Sequence, residues 1–134
     1  MKKILLFVLL FVSTISYSQT VIETYKNKLS RWNYRTEKWE SEDYNYVGIT
    51  FTFTENYLES DAKSKPKYYL ISKGQSVEET NYKAIRFNDV EDDKGRKLNI
   101  SLVTYTDDNS KVMIFMYEDI AFYFYLKTNG VSKF

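Results

Sequence analysis

Few side chains in this 134-residue chain could build an active site. It contains no histidine and no cysteine. A Ser-His-Asp or Cys-His nucleophile is therefore excluded, as is a zinc site of the His/Cys kind. The side chain that most often switches charge between about pH 5 and 8 is missing too, and no disulfide can brace the fold. Carboxylates are the remaining catalytic resource. Glu40, Glu42 and Asp43, with Glu118 and Asp119, could supply an acid and a base about 5 to 9.5 Å apart, as glycoside hydrolysis requires. Each of them falls in an expected turn or connection, where charge is ordinary. We assign no catalytic residue and expect a protein that is not an enzyme, with a carboxylate hydrolase as the minor reading.

Two short motifs invite a ligand and fail on spacing. The run Asp89-Val90-Glu91-Asp92-Asp93 has the oxygens a calcium ion would take. However, Gly95 comes one place late for an EF-hand loop, and position twelve is Ile100 rather than an acid. The run reads instead as a solvated hairpin tip. Asn99-Ile100-Ser101 matches a glycosylation sequon but lies inside an expected strand. We expect no metal and no cofactor.

Aromatic rings are the strongest binding signal, with thirteen tyrosines, nine phenylalanines and two tryptophans. A tyrosine offers ring area and a polar handle, so an exposed tyrosine face suits a sugar, a peptide or a protein. Alternation decides which rings could be exposed. Val47, Ile49, Phe51 and Phe53, with Leu98, Ile100, Leu102, Ile120, Phe122, Phe124 and Leu126, form one apolar set and should be the core. Tyr105, Tyr117, Tyr123 and Tyr125 then project from the opposite face, together with whichever of Trp32 and Trp39 is not buried. These six are the candidate ligand- or partner-binding residues. The competing reading is a second packing layer, or cross-strand pairs that only stabilise a sheet.

The elements that would position these rings are strands. Gln19–Leu29 fits a capped helix (Thr20 and Glu23) and equally a first strand; we read it as a strand running into the next segment. Arg31–Glu40 reads as a hairpin with its turn at Arg35–Lys38, and Tyr46–Thr54 as a strong strand. Tyr57–Glu59 reads as the start of the next strand, Ser60–Lys67 is the clearest loop, and Tyr68–Ser72 is a short strand. Lys73–Asn81 is a second loop, where Ser76 and Glu79 could cap one helical turn. From Tyr82 the pattern is a meander: strands over 82–90, 97–105, 112–117 and 120–127. Gly95 sits at a left-handed turn position, and further turns fall at Asp107–Ser110 and Glu118–Asp119. Strands every eight to twelve residues are the signature of an antiparallel barrel or sandwich. The expected fold is all-β, an antiparallel meander of about eight strands forming a lipocalin-like barrel or a curved sandwich.

Before that domain comes a targeting segment. Lys2 and Lys3, the apolar run Ile4–Val12 and the small residues Ser16 and Ser18 form a cleavable signal peptide over residues 1–18. The apolar run is under half the roughly 20 residues a span needs. Residues 19–134 are then a single domain. With Lys2 and Lys3 removed, 17 basic residues face 18 acidic ones. No basic excess remains to hold a phosphate backbone, so nucleic acid is not an expected partner. The terminal Phe134 is a feature of outer-membrane barrels, but the polar stretch Thr128–Lys133 argues against membrane insertion.

The signal ending at Ser18-Gln19-Thr20, Trp39, the strand Phe51-Thr52-Phe53 and the final strands around Tyr117 and Tyr123 together resemble a loose group of short exported β proteins of Gram-negative bacteria. The strand layout resembles that of lipocalins, although Ser30-Arg31-Trp32 stands where lipocalins have Gly-x-Trp. The resemblance carries no activity. The expected function is an exported, periplasmic or extracellular, non-catalytic binding module for a small apolar or sugar-like ligand. The alternative is a structural or inhibitory domain whose partner is another protein and which has no ligand pocket.

Overall fold

Alternating apolar residues prescribe strands along most of the chain, and the computed structural model, which describes residues 20–131, contains strands and no helix. The expected signal peptide and Phe134 lie outside the described residues. The strands are β1 (Thr20–Asn33), β2 (Lys38–Ser41), β3 (Thr50–Phe53), β4 (Tyr57–Ser60), β5 (Lys67–Leu70), β6 (Gln75–Glu78), β7 (Tyr82–Asp92), β8 (Lys97–Tyr105), β9 (Lys111–Met116) and β10 (Ile120–Val131). Eight of them, β1-β3-β4-β5-β7-β8-β9-β10, follow one another as antiparallel neighbours, and β10 returns to pair with β1. The sheet therefore closes into a barrel rather than splitting into a sandwich. Closure satisfies the open edges that would otherwise recruit another chain.

The long first strand makes closure possible. Its N-terminal half pairs with β3, Ile22 opposite Phe51, and from Lys26 to Arg31 it pairs with β10. Bulges on either side of Thr24 bend the ladder between these two partners. β2 folds back on the end of β1 as an overhanging hairpin, and β6 pairs with the first half of β7. The Gln19–Leu29 stretch is thus a strand.

The inward-facing residues pack the waist of the barrel. Phe51, Phe115 and Phe124 are buried and mutually in contact, with ring centroids 4.9 to 5.5 Å apart. Tyr68 from β5 meets Phe115 edge-on at 4.7 Å. Ile22, Leu58, Val90, Ile100 and Met113 complete the layer, each fully buried. A buried side chain of this size contributes about 1.5 to 3 kcal/mol of transfer free energy.

Three local expectations are corrected. The strand over Tyr46–Thr54 begins only at Thr50, and Val47 is 53 % exposed rather than part of the core. Before Thr50 side chains replace part of the ladder: Thr24 Oγ donates to the Ile49 carbonyl at 2.7 Å and accepts from the Ile49 amide at 3.1 Å, and Asn27 Nδ2 donates to the Val47 carbonyl at 3.2 Å, while Asn27 and Asn45 form an isolated bridge. The second loop holds a strand, β6, not a capped helical turn. The acidic run is not wholly solvated: Asp92 is 4 % exposed and faces inward. An extra residue at Asn88-Asp89, where the β7–β8 register shifts, turns Val90 and Asp92 to the inner face.

Candidate functional site

The two ends of the barrel differ. At the end where β5 meets the tip of β7, Asp92 acts as an internal plug. Its Oδ1 accepts from the amides of Lys94 (3.0 Å) and Arg96 (2.9 Å). Its Oδ2 accepts from Arg96 Nε (2.8 Å) and the Tyr117 hydroxyl (2.9 Å). Burial raises the carboxyl's pKa, but the bonds from Arg96, Tyr117 and Lys94 together outweigh it and hold Asp92 below the ordinary carboxylate value. Burial, then the Asp92 and Asp93 charges, pushes the neighbouring Tyr68 up to about 12. Gly95 closes the turn at φ +78°, the left-handed conformation that glycine adopts without strain.

The opposite end is open. Here β7 leaves β5 after Val90–Leu70 and takes β6 as its neighbour from Arg86 onward. The linking residues 71–74 arch across the gap. Beneath them lies a recess of about 650 Å³, floored by Phe53, Leu70, Ile85, Phe87 and Leu102. Thr20, Thr54, Asn56 and Lys73 supply its polar rim. The inward alternation of β3, β5, β7 and β8 continues past the packed waist, so the buried Phe53 and Leu102 and the half-buried Leu70, Ile85 and Phe87 line this end. Phe53 and Phe87 stack at 5.7 Å along one wall. Gly74 lets the arch approach closely, since a Cβ there would lie 2.9 Å from Ile85 Cγ2 and 3.0 Å from the Phe87 ring. The size and apolar lining are those of a small-molecule site.

The six residues expected from the sequence do not line this recess. Trp32 and Trp39 face each other across the overhanging β1–β2 hairpin, edge-on at 5.6 Å, with Trp39 41 % exposed. Tyr117 is not on the outer face: it packs on the main core and bonds Asp92, because it continues the inward series Met113-Phe115 of β9. Tyr105, Tyr123 and Tyr125 do project outward. Tyr123 and Tyr125 are half-buried over Ala84, Val103 and Val112, and Tyr105 remains exposed. Lys28 Nζ lies 5.0 Å from the Tyr123 ring centroid, and Lys26 Nζ 5.0 Å from that of Tyr125 and 4.0 Å from that of Tyr44. The Tyr125 hydroxyl and then the Lys28 charge draw the Tyr44 phenol below its ordinary pKa. The tyrosine face carries a small second packing layer and leaves Tyr105 and the rings of Tyr44 and Tyr46 exposed.

Sequence reasoning did not bring Leu70, Ile85 and Phe87 to this recess; it placed Phe53 and Leu102 in the core, where they lie, and both also border the recess. The available signal was Leu70-Ile71 running directly into Ser72-Lys73-Gly74, an apolar pair with no turn residue between it and the loop. The five carboxylates considered for catalysis are all exposed. Glu42 pairs with Arg31 at 3.8 Å and Glu40 accepts from Asn33 at 2.8 Å. Among the described residues, no three acidic side chains gather as a cation site would require.

Fold and site define the class, a closed eight-stranded up-and-down β-barrel with one plugged end and one open apolar end. No protein-family model matches this chain, nor does any curated protein or solved structure.

Proposed function

We propose that the protein is an exported, non-catalytic binding module that holds a small apolar ligand in the open end of its barrel. The observation that carries this reading is the recess of about 650 Å³ above a filled waist, with five apolar side chains as its floor. The packed waist of Phe51, Phe115 and Phe124 supports it, because it closes the recess from below and leaves a ligand one way in and out. The module acts in the periplasm or outside the cell, as the signal-like residues 1–18 imply. A water-exposed exterior fits that setting. Outward positions hold Lys67 and Glu59, ion-paired at 3.3 Å, and the larger apolar cluster faces inward, with a smaller one around Ala84, Val103 and Val112 on the outer face, unlike the continuous apolar outer band of a membrane barrel.

The test is binding of the fluorescent probe N-phenyl-1-naphthylamine. Wild-type protein should bind it saturably. Ile71→Asp, which places a charge at the recess on a residue already 55 % exposed, should weaken binding at least tenfold. Val47→Asp, at a comparably exposed apolar residue away from the recess, should leave binding unchanged. Equal binding by all three proteins, or none by the wild type, refutes the reading. The second reading, a protein-interaction domain, draws on the exposed rings of Tyr25, Tyr44, Tyr46 and Trp39. Co-purification of a protein partner that Tyr46→Ala releases and Ile71→Asp retains would favour it.

A further inference from the structure

The outer face of the barrel holds a second concavity, independent of the open-end recess. It is a groove of about 450 Å³ across β7, β8 and β9. Antiparallel register builds it in rows. Tyr82 stands opposite Tyr105, and Arg86 opposite Ser101, which in turn stands opposite Ile114. Asn99 pairs with Met116, and the β7 bulge places Asn88 at the same end of the groove. Two aromatic rings therefore stand at one end and two amides at the other. A guanidinium lies between them, and Ile114 and Met116 form the apolar side.

Arg86 is the unusual member. It is half-buried, donates from Nε to Ser101 Oγ at 3.3 Å, and forms no ion pair among the described residues. Its remaining N–H groups form the planar fork that matches a carboxylate. The Asn99 side chain makes no hydrogen bond among the described residues, and Asn88 uses only its Nδ2, on Gln75 at 3.1 Å. Amide groups of this kind suit hydroxyls, and tyrosine rings suit the C–H face of a sugar.

We propose that this groove binds an acidic sugar, a uronic acid residue whose carboxylate is received by Arg86. The sugar's hydroxyls meet Asn88 and Asn99, and its ring lies against Tyr82 and Tyr105. Charge complementarity selects this occupant over a neutral glycan, because a carboxylate accepts two parallel charge-assisted bonds from the guanidinium and a sugar hydroxyl does not.

The experiment is an NMR titration of the isotope-labelled protein with sodium glucuronate, with glucose and sodium acetate in parallel. Glucuronate should shift the amides of Arg86, Asn99 and Ser101 saturably, at least tenfold more tightly than glucose or acetate. Arg86→Gln should weaken glucuronate at least tenfold, whereas Arg31→Gln, an exposed arginine paired with Glu42, should not. If Arg86→Gln fails to fold, Tyr105→Ala, at an exposed ring, should weaken glucuronate severalfold and leave acetate unchanged. Equal shifts by glucose, shifts that survive both groove substitutions, or no saturable shift would overturn the proposal. Loss of probe binding in the recess would not, because the two sites share no residue.

Discussion

Removing the Asp92 carboxylate is the sharpest test of how the barrel is closed. In Asp92→Ala the amides of Lys94 and Arg96 and the Tyr117 hydroxyl lose their acceptor together. The Arg96 arm adds little, since its side chain is 62 % exposed and water screens the pair. The backbone and tyrosine bonds matter more, because they end on a buried charge. Bonds of that type contribute about 1.5 to 3 kcal/mol each, and the orphaned donors relax only in part. We expect a loss of about 3 to 5 kcal/mol for Asp92→Ala from these three bonds, less what the freed donors regain from water. At roughly 4 °C per kcal/mol for a domain of this size, Tm should fall by about 12 to 20 °C. Asp92→Asn keeps the Oδ1 acceptor and should lose about half as much. Urea unfolding followed by tryptophan fluorescence reads both, with the exposed neighbour Asp93→Ala as the control. The wild type should also lose this stability in acid. Its folded carboxyl titrates below the unfolded value, so the contribution is complete above about pH 4 and disappears as pH falls through the folded pKa. A cost for Asp92→Ala no larger than that for Asp93→Ala, with an unchanged acid limb, would refute the plug.

Tyr68 should resist ionisation. Its pKa is raised from 10.0 to about 12, chiefly by burial, so it favours the neutral folded state; stability should fall as pH rises from about 10 to 12, and Tyr68→Phe should remove its part of that fall in spectrophotometric and unfolding titrations. Trp39→Ala should cost about 1 kcal/mol by breaking the edge-on pair with Trp32, and should leave probe binding in the recess unchanged. Gly95→Val should cost about 1 to 2 kcal/mol through its φ of +78° alone, because a Cβ there meets nothing within 4 Å; Gly95→Asn should cost less in the same urea experiment.

Strand after strand was legible because period-two alternation is a local property. Leu98-Ile100-Leu102 and Phe122-Phe124-Leu126 would face a core in any sheet, and their register needed only turns such as Glu118-Asp119. The candidate site was less legible. Tyr117 shares its type and spacing with the outward tyrosines, yet its inward parity follows from Phe115, and its partner Asp92 lies 25 residues away in sequence. Val47 obeys the same alternation as Phe51, but the regular ladder begins only at Thr50, and side chains of β1, Thr24 and Asn27, hold the chain before it.

By itself the sequence determined the chemistry that is absent, through its lack of histidine and cysteine, and the all-β character, through alternation and turn residues. Only the tertiary structure decided that the sheet closes rather than doubles. Closure depends on β1 pairing with β10 about a hundred residues later, and no local pattern encodes that contact. The same closure left one end plugged and one open. Whether an inward side chain becomes floor or core depends on what stands opposite it across the barrel, and that is a property of three dimensions.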